Sequence, residues 1–171
     1  GQLPPRLAKG FAGVLFLVTL TTAFVLDAVF AAMLSAYLVL NLFYTFGVKK
    51  IPYLDVASIS VGFLLRVLAG AAVLAVEPST WLILCTGLLS AFLGLGKRAS
   101  ELSLLGQDAW RHRPVLKRYR LSHLKKAMVV VAACTLLSYI AYTVSPHTHK
   151  FFGTRNLYLT IPFAAFGLFR F

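Results

Sequence analysis

The chain has 171 residues, 59% of them hydrophobic, a mean hydropathy of +0.81 and a formal net charge of +12 at pH 7. Soluble domains are close to half apolar, so this composition excludes an ordinary water-soluble domain and makes lipid the natural solvent. The 17 Lys and Arg, against 5 Asp and Glu, fall between apolar runs, a pattern of membrane-side loops facing anionic lipid or phosphorylated substrates and not of a nucleic-acid surface.

Six apolar stretches follow in chain order, at 10–26, 28–48, 54–76, 80–95, 127–144 and 157–171. Most approach the roughly 20 residues that a helix needs to cross a hydrocarbon core of about 30 Å, and the fourth is short. Each run is continuously apolar, whereas barrel strands alternate, so the predicted fold is all-α: a polytopic bundle of six transmembrane helices. The first two runs meet in a tight turn at Asp27. Arg6 and Lys9 precede the first run as in a signal peptide, but no small-residue cleavage site follows, so it is read as a span. Cys85 and Cys134 sit inside apolar runs, which allows neither a disulfide framework nor a zinc spacing.

Placing the loops alternately puts fourteen Lys and Arg on one side, Lys150 and Arg155 on the other, and Arg66 inside a helix. The basic side is therefore expected to be cytoplasmic, in a multi-pass plasma-membrane protein. Residues 96–126 form a polar loop on that side within a single transmembrane domain over 1–171. That loop reads as a short helix over 97–107, a break at Pro114 and a lead over 119–126 into the fifth span.

The acidic residues are few enough to weigh singly. Asp27 and Glu77 lie in turns on the sparsely charged side and are expected to be solvated caps. Asp55, Glu101 and Asp108 lie on the basic side, as salt-bridge partners or as Mg2+ ligands, since hard cations take oxygen donors and bring phosphates with them. Glu101 and Asp108 would share a face of one continuous helix, which Gly106 could interrupt.

Arg66 is the most informative residue, because a guanidinium within a span is costly unless it meets a polar cavity or partner. Ser58, Ile59 and Gly62 leave its stripe small enough to border a cavity; Asp55, eleven residues earlier, is too far along the helix for direct contact. An internal ion pair, a snorkelling side chain and a phosphate ligand all remain open for it. Tyr44 with Lys49 and Lys50 closes the second span, as an interfacial anchor or a head-group phosphate site. Gly96-Lys97-Arg98 is not a Walker motif, since Ala91 stands for the first glycine and Arg98 for Ser or Thr. His147 and His149 lack a third ligand and read as loop residues.

Several stretches together resemble a known family. Tyr44-Thr-Phe-Gly-Val-Lys49-Lys50-Ile-Pro-Tyr-Leu-Asp55 and Gly62-Phe-Leu-Leu-Arg66 are similar to the middle of the UbiA-type prenyltransferase superfamily. Gly96-Lys97-Arg98-Ala-Ser-Glu101, His112-Arg113-Pro114 and Tyr142-Thr-Val-Ser-Pro146 resemble its decaprenyl-phosphate phosphoribosyltransferase branch. The resemblance implies a nine-helix bundle open to the cytoplasm, with these spans as its third to eighth helices. It also implies Mg2+-dependent transfer of 5-phosphoribosyl from phosphoribosyl pyrophosphate to a polyprenyl phosphate, with loss of pyrophosphate, for cell-wall arabinan precursors.

Carried over by matching position, Tyr44, Lys49, Lys50, Asp55, Arg66, Lys97 and Arg98 become substrate- and phosphate-binding residues, and Glu101 and Asp108 metal-side residues. The family's first aspartate-rich motif and last helix are absent from this stretch, so the resemblance implies a piece of a longer protein, inactive alone. The competing readings are an aromatic prenyltransferase of the same superfamily and a membrane transporter of anionic substrates. Against the transporter, no repeated half with matching broken helices is seen.

Overall fold

The computed structural model describes residues 4–106, 114–146, 148 and 156–170. Among them every regular element is helical, as the continuous apolar runs require. The α-helices are α1 (Pro5–Leu26), α2 (Ala28–Phe46), α3 (Leu54–Val73), α4 (Thr80–Leu105), α5 (Leu121–Val144) and α6 (Ile161–Phe169). Short 3-10 segments, Val48–Lys50, Pro114–Arg118 and Asn156–Thr160, precede α3, α5 and α6.

Five helices, α1 to α5, are long and apolar enough to cross a membrane. The sixth apolar stretch is helical too among the described residues, a 3-10 turn over Asn156–Thr160 followed by the nine residues of α6. Pro162 stands in the first turn of α6, where its missing N–H is harmless; α-helix cannot extend back through it without losing a hydrogen bond.

The fourth span is corrected. It does not end at 95 but continues to Leu105, so the residues expected as a separate loop helix are the last turns of a 26-residue α4. Gly106, at φ +50°, closes it in a conformation that glycine adopts without a Cβ clash. Likewise the lead into the fifth span belongs to α5, which starts at Leu121. The polar connection is thus shorter than 96–126.

Asp27 both ends α1 and starts α2. Its N–H donates to the Ala23 carbonyl at 3.2 Å, and its carboxylate accepts from the Phe30 N–H at 2.7 Å, the cap expected of an aspartate at that position. Ser79 caps α4 in the same way, accepting from the Leu82 N–H at 3.1 Å. Successive helices pack side by side, α1 on α2, α2 on α3, α3 on α4, α4 on α5 and α5 on α6, as short connections favour. Antiparallel neighbours, the course that short connections favour, gather the lysines and arginines of the described residues, Arg66 within α3 excepted, at one end, called here the basic end.

The densest packing is also there. Val56, Leu95, Ala99, Val115, Leu116, Tyr119 and Leu124 form one buried cluster from α3, α4, the Pro114–Arg118 segment and α5. Gly94 lets α3 and α4 approach, since a Cβ on it would stand 2.9 Å from Val56 Cγ1. Elsewhere large apolar side chains, Phe11, Phe24 and Phe43 among them, remain exposed, a surface suited to lipid.

Candidate functional site

Three features of the bundle hold most of the residues that the sequence singles out. The first is a cleft of about 140 Å³ between α2 and α3, lined by Tyr37, Asn41, Tyr44, Ser58, Gly62 and Arg66 among others. Tyr37, Asn41 and Tyr44 recur at helical spacing on α2, facing Ser58, Gly62 and Arg66 at helical spacing on α3. A polar stripe on each of two apolar helices makes a polar seam where they meet. Arg66 donates to the Tyr37 hydroxyl, and its guanidinium carbon lies 4.7 Å from the Tyr37 ring centroid and 5.3 Å from that of Phe63, cation–π distances. A Cβ on Gly62 would come within 3.4 Å of the Tyr37 ring. The expectation of a small-residue stripe beside Arg66 bordering a cavity is met, and its partner is Tyr37, not a carboxylate.

The second feature is a buried knot at the basic end. Asp55, in the first turn of α3, is fully buried and Arg98 on α4 is 1% exposed. Arg98 Nε donates to Asp55 Oδ2 at 2.8 Å and its Nη1 to Glu101 Oε2 at 2.6 Å. The Tyr119 hydroxyl donates to Asp55 Oδ1 at 2.6 Å and accepts the Tyr53 N–H at 2.6 Å. Both oxygens of Asp55 are therefore engaged. Burial, with the Asp55 carboxylate beside it, pushes the Tyr119 hydroxyl well above the usual tyrosine range. It remains a proton donor at any ordinary pH.

This knot departs from two sequence expectations. Asp55 was expected to line a cleft and Arg98 to bind phosphate, but both are sealed inside the helix packing and satisfy each other. A buried carboxylate and guanidinium each cost several kcal/mol to desolvate, and they are tolerated because the pair closes with its hydrogen bonds. Glu101 is tied to Arg98. Asp108 lies outside the described residues, as do His147 and His149. α4 itself ends at Leu105, with Gly106 as its C-cap. Among the described residues no three of His, Cys, Asp and Glu come together as a metal site; Asp55 and Glu101 share Arg98 as their partner.

The third feature is a groove of about 1410 Å³ bounded by α4, α5 and α6. Phe92, Leu93, Leu104, Met128, Leu136 and Phe169 are among its mostly apolar walls. Lys97, Lys125 and Arg170 line it too, one from each helix and all from the basic end. Of the predicted phosphate ligands, Lys97 is exposed on this groove, while Lys49 and Lys50 stand apart in the 3-10 segment after α2.

The structure thus places Tyr44 and Arg66 in the lining of one cleft and joins Asp55 to Arg98 and Glu101, with Tyr44 close enough to Arg98 to feel its charge. Sequence reasoning missed Tyr37, Asn41, Tyr119, and Lys125 and Arg170 as groove residues. The seven-residue spacing from Tyr37 to Tyr44 signals the first two. Tyr119 meets Asp55 across 64 residues, and no local pattern announces it.

No protein-family model matches the chain. It is 32% identical over 152 residues to decaprenyl-phosphate phosphoribosyltransferase of Corynebacterium glutamicum, covering 88% of this chain and 46% of that protein. Proteins of the same name are 31% identical in Mycolicibacterium smegmatis and 30% in Mycobacterium tuberculosis, each over 139 residues. Those matches cover 81% of this chain and 44% and 46% of the relatives, so the chain spans about half the length of the proteins it matches. Over more than four-fifths of its length, the chain is homologous to proteins named decaprenyl-phosphate phosphoribosyltransferase, the branch that its motifs resemble.

Proposed function

We propose that the complete protein transfers 5-phosphoribosyl from phosphoribosyl pyrophosphate to a polyprenyl phosphate, releasing pyrophosphate. The observation that carries this reading, beside the named relatives, is the α4–α5–α6 groove. Its 1410 Å³ exceeds the roughly 300–1,000 Å³ of ordinary small-molecule pockets. A long apolar chain needs such a volume, and the Lys97, Lys125 and Arg170 end offers cations to its phosphate. An acceptor phosphate oxygen attacks the anomeric carbon of the donor as the bond to pyrophosphate breaks; the acceptor is already an anion, so no base is needed. The residues' task is to hold two phosphorylated groups close and to offset their negative charge.

On the same reading, the Arg66 cleft, at about 140 Å³, takes a single phosphate-sized anion. Of the described carboxylates, Glu101 alone lines the groove, so a Mg2+ used by the reaction would meet it there together with substrate phosphates, the usual company of that ion. The basic end faces the cytoplasm of a plasma membrane, because short loops rich in Lys and Arg stay on that side.

The test is phosphoribosyl transfer in membranes holding the complete protein, supplied with labelled phosphoribosyl pyrophosphate, polyprenyl phosphate and Mg2+. A labelled lipid is expected from the native protein, and its yield falls at least about tenfold in Lys97→Ala/Lys125→Ala and in Arg66→Ala, the loss that one or two charge-assisted hydrogen bonds would cause. A well-folded native protein that makes no labelled lipid overturns this reading in favour of prenyl transfer or transport.

A further inference from the structure

Tyr119 lies outside every motif that the sequence singles out, yet it ties together two segments that each carry a pair of cations. Its hydroxyl accepts the N–H of Tyr53 and donates to Asp55, and its ring meets that of Tyr53 edge to face, with centroids 5.2 Å apart. Tyr53 has φ 65°, a backbone conformation that residues other than glycine rarely adopt without being held there. Tyr53 ends the turn that follows Val48–Lys50, and Tyr119 itself follows Pro114–Arg118. Those two 3-10 segments touch.

The consequence is electrostatic. One segment carries Lys49 and Lys50, the other the exposed Lys117 and Arg118. Contact between the two segments puts four cations on neighbouring stretches of chain, which is unfavourable in itself; the Tyr119 hydrogen bonds to Tyr53 and Asp55 offset that cost, and a polyanion bound between the segments would relieve the repulsion. A pyrophosphate carries several negative charges on two adjacent phosphorus centres, which suits donors from two short segments.

We infer that Tyr119 is a positioning residue whose hydroxyl latches the Pro114–Arg118 segment to the turn before α3, assembling Lys49, Lys50, Lys117 and Arg118 into a binding face for the pyrophosphate of the donor substrate. This inference rests on the phosphoribosyl-transfer reading for its substrate. Lys117 and Arg118 join the site through this latch, and the groove lined by Lys97 is left to the lipid acceptor.

The experiment uses the complete protein with Tyr119→Phe, which keeps the ring and removes the hydroxyl, and with Lys117→Ala/Arg118→Ala, which changes exposed side chains alone. Binding of inorganic pyrophosphate to the purified protein in detergent is measured by calorimetry, beside the KM for each substrate. Both variants are expected to weaken pyrophosphate binding and to raise the KM for phosphoribosyl pyrophosphate by about tenfold, the scale of a lost charge-assisted contact, with the KM for the polyprenyl phosphate unchanged. Native-level pyrophosphate binding in either folded variant overturns the inference, as does an equal rise of both KM values, which would mark a general loss of structure. Should Tyr119→Phe fail to fold, the Lys117→Ala/Arg118→Ala pair still decides. A native protein that binds pyrophosphate but transfers no phosphoribosyl group would sink the proposed function while the binding arm still tests the latch.

Discussion

Lys97 and Arg98 are consecutive on α4, yet one stands exposed on the groove and the other is sealed inside the bundle. A helix turns by about 100° per residue, enough to carry one cation from an open rim to a closed core. Arg98 has two carboxylates within hydrogen-bonding distance, and its charge is spent on holding α3 to α4. Lys97 shares the rim of its groove with Lys125, Arg170 and Glu101, where cations are in excess and an anion is attracted. Two adjacent cations in one motif thus have different work, one structural and one facing a ligand.

The contrast can be broken most severely at the knot. Asp55→Ala would leave the Arg98 guanidinium buried with half its partners, and the loss of one member of a buried pair costs about 3–5 kcal/mol. Thermal unfolding in detergent should show a large drop in transition temperature, and the double variant Asp55→Ala/Arg98→Met should lose less than the two single losses combined, because no charge is then stranded. A double variant as unstable as that sum would show that the pair does not act as a unit.

A smaller effect comes with pH. The folded protein raises the Tyr119 hydroxyl above its unfolded value, so the protonated form is favoured by folding. That contribution is complete below the unfolded tyrosine value of about 10 and is lost as pH rises above it. Transition temperatures between pH 8 and 11 should be flat in this respect up to about pH 10 and then decline, with a shallower decline in Tyr119→Phe. Equal slopes for the two proteins would remove Tyr119 as the cause.

The smallest stability effect is expected at the rim. Lys97→Ala/Lys125→Ala should change stability by no more than about 0.5 kcal/mol, as exposed substitutions away from packed features usually do, while binding of a polyprenyl phosphate weakens. Unfolding and lipid-binding measurements on the same preparation check both halves. A variant that unfolds as readily as Asp55→Ala would erase the distinction between rim and knot.

The α-helical class, the boundaries of the first three spans to within a few residues and the Asp27 joint were legible in the sequence, because each rests on local chemistry. Apolar run length sets a span, and an aspartate between two runs caps the second. The Arg66 cleft was half legible, since Ser58 and Gly62 precede Arg66 at helical spacing on α3, although its α2 side, Tyr37 above all, passed unnoticed. The end of α4 was not legible by hydropathy: Gly96-Lys97-Arg98 reads as leaving the membrane, whereas the helix continues because Arg98 is neutralised by Asp55 and Glu101. The 3-10 turn that opens the sixth apolar stretch is hidden from apolar length, and Pro162 just after it is its local mark.

What the amino-acid order determined by itself was which segments prefer lipid, where they turn and at which end the cations collect, since these follow from transfer free energies and caps within a few residues. Which cations are buried, which remain open to a ligand and what Tyr119 holds were decided by tertiary structure. Those outcomes depend on side chains 43 and 64 residues apart meeting in a water-poor interior, where a charge must find its partner or stay at the surface.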